Sequence, residues 1–237
     1  MKKSFSFKSI AIAFVASTSL LLSCQKDQLA KPEEQRQAEL VMKANASKQS
    51  KQKLKNDANK EYDKEMKKLL QEMSKQMKKM KMTCEPDVDF ANMMIMHHDM
   101  GIAMANLELA YGHHARGKEL AEKTKIGNQE SKERLQAFLS AHTSWMELSK
   151  ADCEKFMMEM MSSMEKMMME MEKLQDLNDV DVQFAEQMIV HHQAAIEMSR
   201  IELKWGHEPA AKVEAQKIID EQSAEIAELK AFVNSHQ

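Results

Sequence analysis

The sequence predicts an all-α protein, an antiparallel helical bundle made by internal duplication, and three observations predict it. Five glycines and three prolines in 237 residues leave few breaks. Ala, Glu, Lys, Met, Gln and Leu, all good helix formers, dominate the rest, and no segment alternates polar and apolar residues as a half-buried strand would. The third observation is a repeat at a spacing of 94 residues. Without a gap, residues 87–142 match 181–236 at 21 of 56 positions, which marks a duplicated unit.

The chain opens on a targeting segment, residues 1–24. Lys2, Lys3 and Lys8 precede an apolar run from Ile10 to Leu22, the pattern of a secretory signal and too short to read as a spanning helix. Leu21-Leu22-Ser23-Cys24 resembles a lipobox, in which Cys24 is lipidated and becomes the mature N-terminus; an ordinary signal with a coincidental cysteine is the alternative. The expected location is therefore the cell envelope, lipid-anchored and periplasmic or outer-membrane facing, with Gln25-Lys26-Asp27 resembling a surface-export tag. Without the three lysines, 34 basic residues become 31 against 37 acidic ones. That balance argues against nucleic acid as a partner, which favours a basic face.

Residues 25–61 are rich in Lys, Gln, Ala and Asn, with too few large apolar groups to order themselves. They are expected to be a polar tether with at most transient helix, and the duplicated bundle to span 62–237, with copies at about 62–142 and 152–236. Each copy should hold three helices. A Met-rich helix comes first (about 62–82 and 152–176). A His-His helix follows (about 88–111 and 181–205), N-capped by Asp87 and by Asp179 or Asp181. Gly112 and Gly206 stop it as left-handed C-cap residues. The third helix runs about 115–141 and 208–235, with Pro209 suited to its first turn. Connections this short favour an antiparallel bundle.

The chemistry lies in the second helix of each copy. Positions three, four and seven apart share a helical face, so Met94 and Met104 accompany His97 and His98, and Met188 and Met198 accompany His191 and His192. Adjacent residues sit about 100° apart on a helix, so one histidine of each pair should face the bundle centre, and the other could serve a neighbouring helix or a second ion. Thioether is a soft ligand and imidazole suits Cu, Zn, Fe and Ni. The mixture points first to Cu(I), with Ag(I) as its mimic and other transition metals as lesser options.

Blander readings compete. Met157, Met160, Met161, Met164, Met167, Met168 and Met171 follow a core stripe, whereas Met158 and Met169 fall off it. A Met-rich surface could instead grip a protein partner. His113/His207 and His142/His236 are also duplicated, but at helix ends, where histidine caps carbonyls or meets the dipole. His114 has no counterpart. Cys84 and Cys153 suit one disulfide in an oxidising compartment, or could add soft ligands. A di-iron oxidase needs Glu-x-x-His on two helices; positions 94 and 188 are methionines, and Glu108 and Glu202 lie about three turns away.

At these residues the chain resembles the bacterial family numbered 305 among domains of unknown function. Asp87, Phe90, Met94-Ile95-Met96-His97-His98, Ile102 and Met104-Ala105 carry the likeness in copy one. Asp181, Phe184, Met188-Ile189-Val190-His191-His192, Ala195-Ile196 and Met198-Ser199 carry it in copy two. The resemblance covers roughly 62–237 and implies a ferritin-like bundle, export or lipid anchoring, and for some members copper binding through His and Met. The family's Gln-x-x-Glu in the following helix is present as Gln222 and Glu225, but copy one has Asn128 and Ser131, which implies different support for its site. Together these readings give the expectation of an exported, lipid-anchored protein that sequesters Cu(I) or confers copper tolerance, not an enzyme.

Overall fold

The computed structural model describes residues 32–236; the targeting segment and Cys24 lie outside them. Residues 47–237 form one compact unit. Among the described residues six helices follow one another: α1 (Glu33–Lys79), α2 (Pro86–Tyr111), α3 (Ala115–Ala141), α4 (Lys150–Lys173), α5 (Val180–Trp205) and α6 (Pro209–Asn234). Among the described residues there is no strand, and no helix is long and apolar enough to cross a membrane.

Helix α1 departs from expectation at its start. It begins at Glu33, so residues 33–61 are helical where an unordered tether was expected. Their composition explains this: Lys, Gln, Ala and Glu have high helix propensity even with nothing to bury, and side-chain pairs one turn apart such as Glu39–Lys43 and Gln52–Asn56 add support. The first buried residue is nevertheless Tyr62, from which Met66, Leu70, Met73 and Met77 continue a buried stripe.

In the Ser47–Gln237 unit, α2 packs on α3 and α5, α5 packs on α6, and α3 closes the ring against α6. Helix α4 lies along α5. The end of α1 that carries Tyr62 meets the start of α5: the Tyr62 hydroxyl donates to Gln187 Oε1 at 3.0 Å, and Gln183 donates to Asp63 at 2.6 Å. Methionine fills much of the interior, with Met160, Met164, Met167 and Met171 buried along α4. Met158 and Met169 face solvent, as their place off the stripe indicates. Cys84 and Cys153 form the disulfide, with Cα atoms 5.2 Å apart.

The ends of the ring show how the copies interlock. Helix α2 is N-capped by Glu85, not Asp87: the Glu85 carboxylate accepts from Val88 N at 2.6 Å and Pro86 takes the first turn. Asp87 is spent on the other copy, where it accepts from the backbone N–H groups of His207 (3.0 Å) and Glu208 (2.9 Å). Asp181 repays this by accepting from His113 (3.0 Å) and His114 (2.7 Å). Helix α5 is capped by Asp179, and Pro209 opens α6 as expected. Each acid at the start of one His-His helix therefore holds the chain just past the end of the other, which sets α2 and α5 antiparallel.

The same geometry corrects the role given to Gly112 and Gly206. Neither is left-handed; φ is −64° and −65°. Glycine is required because Glu108 and Glu202 fold back over these positions. A Cβ would lie 2.6 Å from Glu108 Cδ at Gly112 and 2.6 Å from Glu202 Cδ at Gly206. As ionised groups those two glutamates have no donor in reach. A proton on each lets it donate to Asp181 and Asp87 respectively. Burial first, then the neighbouring aspartate, pushes Glu108 up to about 10 and Glu202 up to about 9.

Candidate metal centre

Antiparallel packing of α2 on α5 brings the two His-His pairs together midway along both helices. All four rings are fully buried, as are Met94, Met104, Met188 and Met198. The 100° offset splits each pair as expected. His97 and His191 face one another with ring centroids 3.7 Å apart and planes at 29°. His98 turns to α3 and His192 to α6.

The hydrogen bonds fix which nitrogen carries the proton. His191 Nε2 lies 2.9 Å from the His97 carbonyl oxygen, an acceptor only, so Nε2 donates and Nδ1 keeps a lone pair. His192 Nε2 lies 2.9 Å from Glu225 Oε2. Burial opposes the charge on Glu225, but the bonds from His192 and Thr124 hold its carboxyl below the ordinary range. His192 therefore donates through Nε2 as well. His98 Nε2 lies 2.9 Å from the Ser131 hydroxyl. That hydroxyl donates at 2.7 Å to Glu214, whose carboxylate Arg134 grips at 2.7 and 2.9 Å. Ser131 has no proton left to give, so His98 also donates through Nε2.

His98 and His191 thus present an unprotonated Nδ1; among the described residues neither of these, nor Nδ1 of His192, nor either ring nitrogen of His97 has a hydrogen-bond partner. A buried polar atom left unpaired costs about 1–3 kcal/mol, and five such atoms in one core need a reason. Desolvation, reinforced by the neighbouring imidazoles, pulls His97 and His191 well below the ordinary histidine range. The same cause brings His98 to about 3. Imidazole is a metal ligand in its neutral form, and these rings share the core with Met94, Met104, Met188 and Met198, all equally buried.

Among the described residues no three His, Cys, Asp or Glu side chains converge as a ready cluster. A metal held here needs thioether as well as imidazole, which suits the donor set and a soft ion. Glu108 and Glu202, the carboxylates a di-iron centre would draw on, are engaged with Asp181 and Asp87 at the helix ends.

The eight side chains named from the sequence all lie buried in this core, and the Asn128/Ser131 against Gln222/Glu225 difference falls beside it. The structure places Ser131 and Glu225 behind equivalent histidines, with Gln222 donating to Asn128 at 3.4 Å. Sequence reasoning missed Gly101, Thr124 and the Glu214–Arg134 pair. Gly101 leaves room for the partner ring: a Cβ would sit 2.7 Å from His191 Cε1. A lone glycine inside a helical pattern was the available signal; the ion pair across α3 and α6 left none. A cleft of about 350 Å³ between α3 and α6 reaches Asn128, Ser131, Gln222 and Glu225 from solvent, and so leads to the outer side of His98 and His192.

The family described as Domain of unknown function (DUF305) matches residues 23–139 and again 87–233. The two matches end 94 residues apart, at the spacing of the repeat. No curated protein matches the sequence. Among solved structures, the crystal structure of a DUF305 fragment from Deinococcus radiodurans is similar at 20% identity and a TM-score of 0.46, over 63% of this chain and 96% of that one.

Proposed function

We propose, for a chain that belongs to the DUF305 family, that the buried His/Met core binds Cu(I) and sequesters it, without catalysis, in the cell envelope. One observation carries this reading: the hydrogen-bond network spends Nε2 of His98, His191 and His192 and leaves their Nδ1 atoms unpartnered in a core with buried thioethers. His97, His98, His191 and His192 would supply nitrogen, and Met94, Met104, Met188 and Met198 sulfur. Copper(I), or Ag(I) in its place, would satisfy those donors with a soft, redox-stable bond set. Ser131 and Glu225 orient the rings that reach them, and the closed core excludes water.

The lipid anchor belongs to the same proposal and rests on Leu21-Leu22-Ser23-Cys24. Membrane attachment of the full chain, lost in Cys24→Ala, tests it; a Cys24→Ala chain that still fractionates with membranes overturns it. For the metal, the full chain is titrated anaerobically with Cu(I) against a chromogenic chelator, beside a variant with all four histidines changed to Ala. Wild type should withdraw Cu(I) from the chelator and the variant should not. Equal competition by both overturns the histidine site.

A further inference from the structure

Far along the bundle from the His-His pairs, the loop after α2 meets the end of α6. His114, the residue before α3, and His236, just past α6, both lie at the surface. Their rings stand edge to face with centroids 4.3 Å apart. Phe232 packs on His236 at 4.1 Å and meets the His114 ring at 6.1 Å, bracing both.

The nitrogen atoms are aimed at each other: His236 Nε2 lies 3.2 Å from His114 Nδ1. The other nitrogen of His236 is occupied, with Nδ1 2.8 Å from the Phe232 carbonyl oxygen, which can only accept. Nδ1 therefore holds the proton, and Nε2 carries the lone pair that accepts from His114 Nδ1–H; a metal ion bound between them takes the place of that proton, which shifts to His114 Nε2 or to solvent. A carbonyl behind a ligating imidazole is the arrangement that fixes tautomer and ring orientation in metal sites. Two nitrogens bound at about 2.05 Å in tetrahedral geometry stand about 3.3 Å apart, close to the spacing already present.

Negative charge lies close by, while His114 itself stands at the N-terminal, positive end of the α3 dipole. Asp181 holds the His114 backbone N–H at 2.7 Å. The charge of Asp179 interacts with His114. His236 follows the C-terminal end of α6, the negative end of its dipole.

We propose that His114 Nδ1 and His236 Nε2 form a second, surface metal site for a divalent ion that favours imidazole, Cu(II), Zn(II) or Ni(II), with water completing the shell. It offers nitrogen without the buried thioethers of the inner centre and is open to solvent, so it selects a different ion and loads independently.

The probe is Ni(II), which discriminates against thioether, added alone to the full chain and followed by calorimetry. Wild type should bind it, and His114→Ala and His236→Ala should each weaken binding by about tenfold or more, as loss of one of two protein ligands requires. His113→Ala and His207→Ala should leave it unchanged, as should replacement of all four buried histidines. Electron paramagnetic resonance of bound Cu(II) should show two nitrogen ligands in wild type and one in either variant. Affinity that is the same in wild type, His114→Ala and His236→Ala overturns the site. So does binding that vanishes only with the buried histidines, a result that leaves the inner Cu(I) reading standing.

Discussion

The two copies agree at their ends and differ at their centre. At the ends, Asp87 with Glu202 and Asp181 with Glu108 repeat one device: a protonated glutamate folded over a glycine, and an aspartate closing the other copy's loop. At the centre, His192 is backed directly by the Glu225 carboxylate, whereas His98 is backed by the Ser131 hydroxyl, with Glu214 and Arg134 behind it. The ends carry the fold, and either copy needs both. In the proposed metal centre the groups behind His98 and His192 would tune the ligands, so its two halves are free to differ. A carboxylate raises imidazole basicity and holds the ring more firmly than a neutral hydroxyl does, so the α5 side of the centre should be the stronger donor.

The largest effect should come from the ends. Gly112→Ala and Gly206→Ala each push a methyl into a glutamate carboxyl, and each should lower unfolding stability by about 2 kcal/mol or more. Chemical denaturation measures this. Two similar losses keep the ends equivalent; a loss at one glycine alone breaks the symmetry.

Next come the supports. Glu225→Gln should weaken Cu(I) binding by about 10- to 100-fold, and Ser131→Ala by clearly less. Chelator competition with both variants decides it, and a reversed order contradicts the assignment of the stronger side.

The pH profile of stability separates ends from centre by sign. Glu108 and Glu202 hold protons in the folded state far above an unfolded glutamate's range. Their contribution is complete below roughly pH 4.3 and falls as pH rises toward 9–10, by at most ~1.4 kcal/mol per pH unit for each. His97, His98 and His191 are pulled down, so theirs is complete above roughly pH 6.5 and falls as pH drops below it. Stability should peak near pH 6–7. Glu108→Gln with Glu202→Gln should flatten the alkaline limb and steepen the rise between about pH 4.3 and 6.5; an unchanged alkaline limb refutes the protonated pairs. The smallest effect belongs to Met158→Leu and Met169→Leu, which lie at the surface and should shift stability by within about 0.5 kcal/mol.

How far the sequence disclosed this follows the range of each interaction. The repeat and the helical spacing are local or periodic, so His97, His98, His191, His192 and their methionines were legible, as was the split of each pair. The disulfide stood as one of two readings. Gly112 and Gly206 were legible as helix stops but not as clearances for a carboxyl, because that needs the side chain of Glu108 or Glu202 in place. Asp87 and Asp181 look like local caps in one dimension; only the antiparallel contact sends them to the opposite loop. The early start of α1 was missed because a polar segment that buries nothing can still be a helix, with propensity and side-chain pairs as its support.

The central claim is that imidazole and thioether of one core bind the same ion. X-ray absorption at the copper edge of the Cu(I)-loaded chain tests it most directly. The account predicts a mixed nitrogen and sulfur shell that disappears when His97, His98, His191 and His192 are replaced by Ala. A shell of sulfur alone, unchanged in that variant, would contradict it and move the copper to methionines outside the His-His core.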